Sequence, residues 1–71
     1  MNIPTESRLY KLENGFFYEI YATHDPKKFK WAIYEKTADG YTCHHTGEPD
    51  LHPNCAAESY WLQHKAELQA R

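Results

Sequence analysis

A chain of 71 residues, 41% hydrophobic and 15% aromatic, is sized and composed for one globular domain rather than a disordered tract. Its formal net charge of −2 argues against a strongly basic nucleic-acid binder and falls well short of an acidic DNA mimic. Two cysteines are too few for a disulfide scaffold, and no apolar run approaches membrane-spanning length. A domain this small buries only about 60% of its unfolded surface, so large rings are an economical way to fill its core.

In chain order, residues 1–7 read as a loose lead around Pro4. The opening Met1-Asn2-Ile3-Pro4-Thr5-Glu6 has neither a basic nor an apolar leader segment, so the cytoplasm and reduced thiols are expected. Arg8–Leu12 is a candidate first strand. Asn14-Gly15 follows, a dipeptide whose tolerance of positive φ marks a hairpin. Gly15–Thr23 then alternates, with Phe16, Tyr18, Ile20 and Ala22 on one face and Phe17, Glu19, Tyr21 and Thr23 on the other. His24-Asp25-Pro26-Lys27 is a turn.

Lys28–Lys36 alternates more cleanly: Phe29, Trp31 and Ile33 oppose Lys30, Ala32, Tyr34 and Lys36. Thr37-Ala38-Asp39-Gly40 closes the next hairpin. In Tyr41–Thr46, alternation sets Tyr41, Cys43 and His45 toward the core and Thr42, His44 and Thr46 away from it. Residues 47–53, with two prolines and a glycine, form the crossover loop. Asn54–Ala70 is a helix with Asn54 as its N-cap. Ala57, Tyr60, Trp61, His64 and Leu68 make its apolar stripe, the natural cover for Phe16, Tyr18, Ile20, Phe29, Trp31 and Ile33. The expected architecture is α+β: a three- to four-stranded antiparallel meander over 8–46, packed on one face by the helix at 54–70.

Phe17-Tyr18-Glu19-Ile20-Tyr21, a strand centred on Trp31, and Gly40 followed by Thr46-Gly47-Glu48 resemble the YegP-type family of small domains. The similarity covers roughly residues 15–60. It implies a sheet-then-helix arrangement and no established chemistry. The chain departs from that pattern in a longer turn before Gly40, in Lys30 and Ala32 around the tryptophan, and in Cys43-His44-His45 where a small apolar strand is usual.

Three functional readings follow from the residues. Cys43, His45, His52 and Cys55 are zinc-type ligands, but they lack the paired knuckle spacing of a structural zinc site, and no cofactor is expected. Cys55 near a helix start could carry a thiolate. Even so, no orienting carboxylate, oxyanion loop or phosphate-cradling glycine run accompanies it, so neither an enzyme nor a small-molecule substrate is expected.

The open sheet face is the better candidate. Alternation assigns it Phe17, Tyr21, Lys30, Tyr34, Lys36 and His44, aromatic rings interleaved with lysine. Such a face suits a protein partner or a second copy of the chain. It also suits nucleic acid, through stacking and phosphate contacts. The charge balance favours protein. The chain's size fits an accessory or inhibitor protein of a bacterium, phage or mobile element.

Overall fold

The structure, a computed structural model, describes residues 9–70. Four strands, β1 (Leu9–Lys11), β2 (Phe16–Ala22), β3 (Phe29–Thr37) and β4 (Gly40–Thr46), precede one helix, α1 (Pro53–Gln69). The strands form one antiparallel sheet in the order β1-β2-β3-β4, and the helix packs against β3 and β2. This is the α+β meander with a single covering helix that the sequence pattern predicts. The predicted lead at 1–7 and Arg8 lie outside the described residues; Leu9–Lys11 does join the sheet, pairing with Phe17–Glu19.

Each tight connection has a local chemical cause. Asn14 and Gly15 both adopt positive φ, 53° and 82°, and the Phe16 amide donates to the Glu13 carbonyl at 3.0 Å. These are the dihedral signs that a turn matching the right-handed strand twist requires. At the β3–β4 turn, Ala38 and Asp39 occupy the tip, and Gly40 takes the positive φ of 134°. Between β2 and β3, the Asp25 carboxylate accepts from the Lys27 amide at 2.9 Å, an Asx-type turn.

Phe16, Tyr18, Trp31, Ile33, Ala57, Trp61 and Leu68 form the core. Two expected core members are placed differently. Ile20 is only half-buried, and Phe29 is exposed at the start of β3, where its backbone pairs with Asp50 of the crossover through two 3.0 Å hydrogen bonds. Phe29 thus fixes the crossover by its backbone, while its ring lies at the end of the apolar row. Tyr60 and His64 are likewise half-buried at the margin of the helix stripe.

The helix cap lies two residues earlier than the expected Asn54. His52 is the N-cap and Pro53 the first helical residue, because proline's fixed φ suits a position whose amide has no helical partner. The His52 side chain makes no capping bond. The Asp50 carboxylate instead accepts from the His52 amide at 2.7 Å. With no acid in the first turn and no base in the last, the helix depends on its buried stripe for stability.

Gly47 is buried directly against Trp31. Its amide donates to the Trp31 carbonyl at 2.8 Å, and a methyl group at its Cα would overlap the Trp31 indole. Gly47→Ala is therefore expected to destabilise the fold by about 1–3 kcal/mol through overpacking. Gly15→Ala has open space around it and is expected to cost about 1 kcal/mol through its positive φ alone. Urea denaturation of the two variants checks both values, and parent-like stability of Gly47→Ala would contradict the packing.

Candidate functional site: the open sheet face

Directly opposed residues in an antiparallel pair share a face, so strand register determines what the uncovered side carries. Along β3 the rows run Lys30 beside Tyr21, then Ala32 beside Glu19, then Tyr34 beside Phe17 and Cys43, then Lys36 beside Tyr41. Lys11 of β1 lies beside Phe17 on the far side. Each of the three lysines is thus the direct cross-strand neighbour of an aromatic ring.

The rings form a connected cluster. Tyr41 meets Phe17 edge-on at 6.1 Å and Tyr34 edge-on at 6.5 Å between centroids. The Tyr34 hydroxyl donates to Glu19 Oε1 at 3.2 Å, tying the third row to the second. Phe17, Tyr21, Tyr34 and Tyr41 are all half-exposed, and Ala32 lies buried beneath its larger neighbours. Burial, and then the adjacent Glu19 carboxylate, push the Tyr34 hydroxyl pKa well above the usual tyrosine value. Tyr21 is raised in the same sense by burial, then by Cys43 and Glu19.

Of the predicted face residues, Phe17, Tyr21, Lys30, Tyr34 and Lys36 lie on the open side, and His44 does not. The register of β3 with β4 shifts between Ile33 and Tyr34, where Ile33 opposes His45 but Tyr34 opposes Cys43. A bulge of this kind leaves one extra residue and breaks strict alternation. His44 is that residue. It turns to the helix side, with its ring 5.5 Å from Phe16 and its Nε2 2.9 Å from Glu35 Oε1.

Tyr41 and Cys43 exchange sides in the opposite sense, joining the open face rather than the core. The pairing of Lys36 with Tyr41 next to a two-residue turn is the signal that would have located Tyr41. No feature of the sequence alone marks the bulge.

The same bulge disperses the metal candidates. Cys43 is exposed on the open side, whereas His45 stacks against Tyr60 on the helix side at 4.1 Å, with Trp31 at 5.4 Å. His52 and Cys55 are exposed near the helix start. Among the described residues, no group of three or more His, Cys, Asp or Glu side chains is arranged to hold a metal ion.

The helix side has its own polar features. Tyr60 continues the stack to His64 at 4.2 Å. Tyr18, beneath Tyr10 at 5.0 Å, donates to Glu58 at 3.1 Å. Beside them, Lys11, Leu12, Glu13, Glu58, Trp61 and Leu62 line a shallow cleft of about 240 Å³. Burial and the Glu58 carboxylate push the Tyr18 pKa up to about 12. No helix among the described residues is long and apolar enough to cross a membrane. A scan against protein-family models finds no match, and searches of curated proteins and of solved structures find none either.

Tyr18, Tyr21 and Tyr34 have folded-state pKa values above the unfolded value of about 10. Their contribution to stability is therefore present below about pH 10 and is lost as pH rises through the higher folded values. Urea denaturation as a function of pH is expected to show falling stability above about pH 10, with a shallower fall in Tyr34→Phe and Tyr18→Phe. An unchanged slope in both variants would contradict the placement of these hydroxyls.

Proposed function

We propose that this chain is a small non-enzymatic interaction domain that binds a protein partner through its open sheet face and works in the cytoplasm. One observation carries the reading. The helix covers one side of the sheet, and the other side holds three half-exposed rings in contact, Phe17, Tyr34 and Tyr41, with Tyr21 two rows along and lysines beside them. Tyrosine and phenylalanine offer large contact area for little lost side-chain freedom, and they anchor protein interfaces. Lysines suit the rim of such a patch, where their charge stays hydrated.

The non-enzymatic part of the reading is supported by the form of the surface. The aromatic rows form a broad face across adjacent strands, and among the described residues the exposed Cys43 thiol donates to a backbone carbonyl, that of His45 at 3.7 Å, rather than to a catalytic base. The likeness to the YegP-type family adds an expectation of fold and brings no chemistry to the site.

Replacing Phe17, Tyr21 and Tyr34 together with serine changes half-exposed positions outside the main core. The triple variant loses the Tyr34–Glu19 bond and the ring contacts and is expected to be less stable, but at low temperature to keep the parent's circular dichroism and to lose the proteins that the immobilised parent captures. Sedimentation of the parent tests whether a second copy occupies the face. A variant that captures the same proteins as the parent would place the binding surface elsewhere.

A further inference from the structure

The geometry points to an acidic, extended polypeptide segment as the occupant of the open face, an inference that rests on the interaction reading above. Charge is unevenly distributed over this molecule. By strand register the open face holds Lys30 and Lys36 against Glu19, and Lys11 on the edge strand β1, where it also borders the helix-side cleft, brings the balance to +2. The remaining described residues hold Lys27, Lys28 and Lys65 against eight acids (Glu13, Asp25, Glu35, Asp39, Glu48, Asp50, Glu58 and Glu67), a balance of −5. A chain that is acidic overall thus presents its rings within a local positive field.

The spacing defines the ligand further. Lys30 and Lys36 lie six residues apart on β3, about 20 Å at the rise of a strand. An extended segment of about six residues spans that distance. Carboxylates toward its two ends would meet Lys30 and Lys36, and a third could meet Lys11. Apolar side chains between them would rest on Phe17, Tyr34 and Tyr41. Glu19, the one acid on the face, has its Oε1 held by the Tyr34 hydroxyl.

A nucleic acid is the poorer fit. Three lysines neutralise few phosphates, so little counterion release is available. A polyanion running past the face would also meet the acidic remainder of the surface, whereas a short acidic segment ends within the positive area.

The test is selection of a random-peptide display library on the full chain, followed by affinity measurement at low and high salt. Selected peptides are expected to be enriched in Asp and Glu over the starting library. Their affinity is expected to fall on the order of tenfold in Lys30→Glu/Lys36→Glu. Lys27→Glu/Lys28→Glu makes the same charge change in the exposed β2–β3 loop, and it is expected to leave the affinity within about twofold.

Neutral or basic peptides that lose binding to the Phe17, Tyr21 and Tyr34 serine variant would overturn the acidic preference and leave the interaction face standing. Peptides that bind that variant as well as they bind the parent would overturn both. Saturable binding of a short oligothymidylate at the same rings, tighter than any selected peptide and lost at high salt, would assign the face to nucleic acid and likewise overturn both.

Discussion

A single helix laid on a four-stranded sheet can cover one face, and this asymmetry governs the rest of the molecule. The helix stripe of Ala57, Trp61 and Leu68 meets Phe16, Tyr18, Trp31 and Ile33, which places the main core on one side. The other side must remain wet or be covered by something else. Its residues are not the short polar set usual on a solvated sheet face. They are rings packed edge to face, with lysines as their cross-strand neighbours. Edge-to-face packing and the Tyr34–Glu19 hydrogen bond help hold the thin sheet together, so the same residues serve stability while presenting a surface.

The covered side depends on one close approach. Trp31 lies between the helix and the start of the crossover, in contact with Gly47 and near Tyr60 and His45. The crossover is also fastened by Phe29 and Asp50, and Asp50 then receives the His52 amide where the helix begins. This short chain of contacts sets the helix's starting point above β3. It compensates for a helix whose ends lack side-chain capping and favourable first- and last-turn charges.

Much of the architecture was legible in the residues because its signals are local. Asn14-Gly15 marks its turn by backbone tolerance, the alternation through Phe16–Tyr21 and Phe29–Tyr34 separates the two faces, and the apolar spacing after Asn54 marks the helix, although Pro53, read as part of the crossover loop, is its first residue. What was not legible depends on contacts between distant parts of the chain. The bulge that turns His44 inward and leaves Cys43 outward is a register event between two strands, and either strand read alone still alternates. Phe29 reads as a core residue by period, but the helix stripe does not bury it at the end of its row. Gly47 reads as a loop breaker, and only the fold shows that the Trp31 indole lies against it. For the candidate site, five of six expected residues lie where alternation puts them, and Tyr41, which connects the rings, was missed through the same change of register.

The most direct measurement of this account is the solvent accessibility of individual side chains, read by NMR with a soluble paramagnetic agent added to the labelled protein. The account predicts strong relaxation at Phe17, Tyr41 and Cys43 on the open side. It predicts protection of Phe16, Trp31, Trp61 and the His44 ring, which lies against Phe16 beside Glu35. A protected Tyr41 ring together with an accessible His44 would mean that β4 continues its alternation without the bulge. Protected Phe17 and Tyr34 rings would mean that the open aromatic face does not exist.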